Sequence, residues 1–239
     1  GLLENGDLFV AKFNEDGSGE WLALTPEVTG MSEAEICIHT RIAASKAGAT
    51  TMDRPEWVSA HPHKAEVYCC LTNNKNRGVK TNAGGDETPA TGPNPREKNN
   101  YGQIVRWQPK GGDHTAAGFD WNLFVLAGNP TVHSDAGNVT ADNMFNSPDG
   151  LAFDSTGLLW IQTDGSYKNE GDFAGMGNNQ MLVGDPETGE IKRFLVGPKE
   201  CEVTGITWSP DRKTVFVGIQ HPGEKGDSHF PRGGDTVPR

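Results

Sequence analysis

The 239 residues predict an all-β chain, folded as part of a β-propeller, on three observations. A hairpin pattern recurs three times. Gly (31) and Pro (15) are abundant while apolar content is only 34%, which suits many short strands joined by turns. Each copy of the hairpin also carries an acid just before or at its first strand: Glu56, Asp149 and Glu202. Inner strands of different blades start near one axis, so acids far apart in sequence can converge on one site.

The organising copy covers residues 148–165. Leu151 and Phe153 alternate with Gly150, Ala152 and Asp154, which is strand periodicity. Ser155-Thr156-Gly157 is a turn, and residues 158–161 form a short apolar run that fits a buried strand. The hairpin therefore has an acid at its start, Asp149, and another at its exit, Asp164. The second copy runs from residues 55–58 through a His-Pro-His-Lys turn to 67–71. The third runs from 203–208 through Ser-Pro-Asp-Arg-Lys to 215–219. Repetition at intervals is what a propeller requires.

The other elements follow in order. Residues 7–13 and 19–24 read as a hairpin across Asn14-Glu15-Asp16-Gly17. Residues 32–46 read as one inserted helix, with a Ser32/Glu35 capping box and a stop at Gly48. Residues 74–101 are a long polar inter-strand loop, expected to be functional or mobile. Residues 103–107 and 119–127 are expected as the two outer strands of the first repeat's blade, and 180–184 with 190–196 as a further hairpin. Residues 222–239 read as an irregular tail. About twelve strands make roughly three blades, within a single partial propeller domain over 1–239. A propeller closes with four or more blades, so about half of the ring is expected to lie outside this chain, and both ends read as cut from a longer protein.

The net charge of −11 argues against nucleic acid as a partner, and no basic cluster contradicts it. No segment has the apolar length to span a bilayer. Cys37, Cys69, Cys70 and Cys201 contain no Cys-x-x-Cys pair, so a structural zinc site is not expected and buried free thiols are. The seven histidines are scattered; His221, at the end of a repeat strand, is the best placed.

The three acids each have a bland reading. Asp149 before Gly150 is an ordinary turn aspartate, and Glu56 can pair with Arg54. Three carboxylates at one repeat position favour a cation site instead. Hard oxygen donors select Ca²⁺, Mg²⁺, Mn²⁺ or Fe³⁺ over zinc. Arg54 would then be a good phosphate clamp, because a guanidinium binds two oxygens at once.

Residues 40–44 (Thr-Arg-Ile-Ala-Ala) and 48–57 (Gly-Ala-Thr-Thr-Met-Asp-Arg-Pro-Glu-Trp) resemble the PhoX family of alkaline phosphatases. So do residues 67–74, 146–151, 160–165 and 202–206, then 218–224 and 228–231, so the resemblance runs through nearly the whole chain in order. It implies the C-terminal part of a six-bladed propeller with a calcium and iron (Ca²⁺, Fe³⁺) centre. It also implies hydrolysis of phosphate monoesters, so that phosphorylated small molecules are the partners. Export, usually folded, to the periplasm or beyond is implied too, and a monomer is expected for the full-length protein. Carried over, Glu56 and Glu202 match acidic metal ligands, Arg54 a phosphate-contacting arginine and Asp149 an acidic metal-site position, with Asn146 and Asp164 added to the metal set. The family's cysteine ligand and its N-terminal acids have no counterpart here, so the metal centre is expected to be incomplete. The closest rival reading is a calcium-dependent lactonase of the gluconolactonase type, and the next is a non-catalytic binding propeller. A lactonase has little use for Arg54.

Overall fold

The structure is a computed structural model that describes residues 6–82 and 84–223. The part of the expected tail beyond residue 223 lies outside the described residues. Within what the sequence reads as one domain, the chain gathers into two compact units.

One unit takes residues 1–52, 75–98 and 107–122. Strands β1 (Phe9–Phe13) and β2 (Ser18–Ala23) form the expected hairpin. Gly17 takes the left-handed conformation (φ 85°) that its tight turn needs, and Asp16 accepts from the Ser18 N–H and hydroxyl. The Phe119 ring lies against Gly19, where a Cβ would meet it at 2.0 Å.

Helices α1 (Pro26–Thr29), α2 (Glu33–Ile38) and α3 (Thr40–Ala47) follow. The Ser32/Glu35 capping box forms, and Gly48 ends α3 at φ 80°. The single helix expected over 32–46 does not. It breaks at His39 (φ −114°, ψ 43°), where the Thr40 hydroxyl donates back to the carbonyls of Ile36 and Cys37. Such local side-chain bonding competes with the helical ladder, and a capping pattern says nothing about it. Among the described residues the segment 75–98 holds no strand; it is organised around Arg77, which is buried. Its guanidinium donates to the Thr51 hydroxyl (3.0 Å) and to the Thr51 carbonyl (3.1 Å), and Asn94 donates to that same carbonyl at 2.9 Å.

The other unit takes residues 53–74, 99–106 and 123–239. Strands β3 (Pro55–Ala60), β4 (Val67–Leu71), β5 (Gln103–Pro109) and β6 (Gly118–Leu126) lie side by side in that order, with β5 and β6 having residues in both units. Strands β7 (Pro148–Phe153), β8 (Leu159–Thr163), β9 (Gln180–Gly184) and β10 (Ile191–Val196) repeat the arrangement as an antiparallel meander. Strands β11 (Glu202–Trp208) and β12 (Val215–Gln220) pair as a hairpin. Every expected hairpin is present. Among the described residues, the roughly three blades of the sequence reading are one six-stranded sheet in which β2 pairs with β6 (order β1-β2-β6-β5-β4-β3), one four-stranded sheet and the β11–β12 pair.

Tyr68, Ile104, Phe124, Leu151, Ile161 and Leu182, from β4 to β9, belong to one buried cluster with Phe145. A smaller cluster joins Met181, Cys201 and Val203 with Trp160 and Ile206, tying β8 and β9 to β11. Leu, Ile and Phe side chains of this size stabilise by about 1.5–3 kcal/mol each when fully buried, so these two clusters hold the strand starts in place.

Candidate metal centre

The inner strands share a backbone device. Arg54 (φ 54°), Ser147 (φ 51°) and Glu200 (φ 62°) each occupy the left-handed region, and each stands two residues before one of the repeat acids. A non-glycine residue there costs about 1–2 kcal/mol. Two of the three precede a proline, which disfavours helical backbone further. A left-handed residue thus recurs at the same distance before each of the three repeat acids.

Bulges complete the aim on β3 and β7. Pro148 faces Thr163 and Gly150 faces Gln162, leaving Asp149 as the extra residue. Glu56 and Trp57 lie between the pairs Pro55–Leu71 and Val58–Cys69, opposite Cys70 alone. A bulge re-aims a side chain out of the regular alternation. Glu202 differs: it pairs regularly with Gln220, and the bulge of β11 falls later, at Gly205. The three acids thus share their distance from a left-handed residue, while only two share a bulge.

Asp149, Asp164 and Glu202 come together, each with a carboxylate oxygen within 4.8 Å of the others. Glu56 is not part of this trio, but its charge reaches it. Asp149 is pushed up to about 6, first by burial, then by the negative charges of Glu56 and Asp164, with Arg54 opposing them. Gln220 donates to Glu202 at 3.0 Å. An open cleft of about 260 Å³ is lined by Asp164, Tyr167, Lys168, Glu200, Glu202 and His221.

Arg54 is exposed and donates to Asn73 Oδ1 at 3.3 Å; the Asn73 amide donates to the Ser147 hydroxyl at 3.0 Å. That hydroxyl donates to Asn146 Oδ1 at 3.1 Å, and the same oxygen accepts from the Ser166 N–H at 3.0 Å. Asn146 is therefore committed to the corner at Gly165–Ser166, which carries Asp164. Asn73 and Ser147 lie in segments that carry the family resemblance, but the sequence reading gave neither of them a place in the site.

Cys69 is pushed up to about 12 and Cys70 well above the ordinary thiol range, chiefly by burial. Cys201 is raised by the same cause. None of these three supplies a thiolate at neutral pH.

The donor set fits a hard cation. Calcium–oxygen distances are about 2.3–2.6 Å, so oxygens on one ion lie within about 5 Å of one another, as these three do. Three carboxylates held this close repel strongly without an opposing charge.

The family model "Alkaline phosphatase PhoX" matches residues 1–223. The chain belongs to the PhoX alkaline phosphatase family. No curated protein matches it. Among solved structures it is similar to Pseudomonas fluorescens PhoX in complex with vanadate, a transition state analogue, at 53% identity and a TM-score of 0.90. The match covers 98% of this chain and 43% of that PhoX chain. PhoX membership speaks against the lactonase reading, while the all-β, propeller-like fold is common to all three readings. Among the described residues no helix is long and apolar enough to cross a membrane.

Proposed function

We propose that this chain carries one side of the metal centre of a phosphatase that hydrolyses phosphate monoesters of small molecules. The convergence of Asp149, Asp164 and Glu202 within 4.8 Å carries the reading, with Arg54 acting on the same carboxylate. In this reading Asp149, Asp164, Glu202 and Glu56 hold calcium and ferric iron, both hard cations that take oxygen donors. Asn146 frames the corner that presents Asp164.

Bound cations supply the positive charge that stabilises negative charge building on phosphoryl oxygens. Arg54 binds the phosphate through two of its oxygens, and its left-handed backbone turns the side chain out at the start of β3. Asn73 steadies the guanidinium from β4's end. Asp149 enters as the carboxylate, so cation binding displaces the proton that its raised pKa favours. Phosphate and phosphate esters are the partners that this charge pattern selects. The working compartment in this reading is the periplasm or the medium, and the three buried thiols need no disulfide partner for it.

The test uses vanadate, the ligand of the similar structure, as a probe of the chain's own site. Calcium-dependent vanadate binding by the 239-residue chain, lost in Arg54→Met, is expected. The reading is abandoned if vanadate binds equally well with calcium removed, or if Arg54→Met binds it unchanged. Hydrolysis of p-nitrophenyl phosphate, followed with and without calcium and iron, then measures how much of the activity this chain carries alone.

A further inference from the structure

Gln162 is fully buried on β8, and neither its amide oxygen nor its amide nitrogen has a hydrogen-bond partner among the described residues. Each buried polar atom left this way costs about 1–3 kcal/mol, whereas an apolar side chain of the same shape costs nothing comparable. It follows the apolar run from Leu158 to Ile161, and the next residue, Thr163, is equally buried but has its partner in Asn179 Oδ1 at 3.0 Å. An amide kept there at this cost points to something that it binds.

Three observations place that partner. Side chains of a strand alternate, so Gln162 shares its face with Trp160 and with Asp164, two residues on. Trp160 packs with Cys201, Val203 and Ile206, so this face meets β11, whose first residue is Glu202. Across the strand pair, Gln162 faces Gly150, the residue after Asp149. A Cβ on Gly150 would lie 2.4 Å from Gln162 Oε1, so the amide rests over the bulge in the space that glycine leaves. All three acids of the cluster thus border the face that Gln162 occupies.

We propose that Gln162 is a further residue of the cation site, its amide oxygen accepting a hydrogen bond from an ion-bound water, and that residue 150 is glycine to make room for this amide. A neutral amide adds an acceptor without a fourth negative charge beside three carboxylates. Gln162 acts through the water and is a positioning residue. The inference rests on the acids binding a cation, as proposed above.

The test is thermal unfolding of the 239-residue chain over a calcium titration, for the unmodified protein and for Gln162→Met. Methionine keeps the length and removes the orphaned polar atoms. Without calcium, Gln162→Met is expected to unfold at the same temperature or higher. The calcium concentration giving half of the stabilisation is expected to rise at least about tenfold, the usual cost of losing an outer partner of a metal site. Equal calcium dependence in the two proteins overturns the role of Gln162 alone. If the unmodified chain does not respond to calcium, the cation site itself fails and Gln162 with it. Gln162→Glu provides a second arm that keeps shape and polarity: a carboxylate accepts more strongly from an ion-bound water, so half-stabilisation is expected at about tenfold lower calcium. No change in that variant also contradicts the proposal.

Discussion

Arg54 and Ser147 hold the same left-handed backbone, φ 54° and 51°, each immediately before the proline that starts an inner strand. Both positions carry a conformation that a side chain with a Cβ resists. Glycine adopts it freely but gives back about 0.5–1 kcal/mol through the flexibility of the unfolded chain. Arg54→Gly is therefore expected to leave the cation-free chain as stable or up to about 1 kcal/mol more stable, while abolishing vanadate binding. Urea unfolding measures the first and vanadate titration the second. A chain markedly destabilised by Arg54→Gly would mean that the arginine serves the fold.

Gly165 is needed by its neighbour. A Cβ there would lie 1.8 Å from Asn146 Oδ1, the oxygen that accepts from Ser147 and Ser166. Gly165→Ala must push the amide out of that corner, at a cost of about 1–3 kcal/mol, typical of overpacking. Because the corner carries Asp164, calcium binding should weaken in step with stability. Loss of stability with calcium binding unchanged would separate the corner from the acid.

Asp149 predicts a pH dependence with a definite sign. Its folded pKa stands at about 6 against an ordinary 3.8, so the fold holds a proton there that the unfolded chain releases. The resulting stabilisation is full below about pH 4 and is lost as pH rises through about 6. Asp149→Asn removes that slope, and urea unfolding across this range shows whether it does. Calcium needs the ionised acid, so its binding to the unmodified chain strengthens as pH rises through the same window. A stability profile identical in Asp149→Asn would assign the slope to another group.

The thiols report on the core. Cys37 is exposed, while Cys69, Cys70 and Cys201 are buried. Cys69 and Cys70 are held protonated by burial. A chromogenic disulfide reagent should titrate one thiol quickly in the folded chain and all four after unfolding. Fast reaction of a second thiol would mean that β4 or the start of β11 opens readily.

The hairpins were legible because period-two apolar patterns and their turns are local. Residues 148–165 announce β7, its turn and β8 without reference to any other segment. The repeat also exposed the acids Glu56, Asp149 and Glu202, and the hairpin exit exposed Asp164. Which of them meet was not legible, since it depends on bulges and on packing between sheets. Glu202 gathers with Asp149 and Asp164, while Glu56 stands outside this trio and its charge reaches Asp149. The break at His39 escaped because Thr40's hydroxyl, not the apolar pattern, decides it. Gln162 did leave a signal, an amide directly after an apolar run, but its unmet hydrogen bonds are visible only once β7 and β11 close over it.

Calcium titration of the 239-residue chain beside its Glu202→Gln variant, followed by calorimetry at about pH 8 where Asp149 is ionised, tests the central claim most directly. The account predicts binding by the unmodified chain and at least about tenfold weaker binding by the variant. Equal calcium binding by the two proteins, or none by either, would contradict the assignment of Asp149, Asp164 and Glu202 as a cation site.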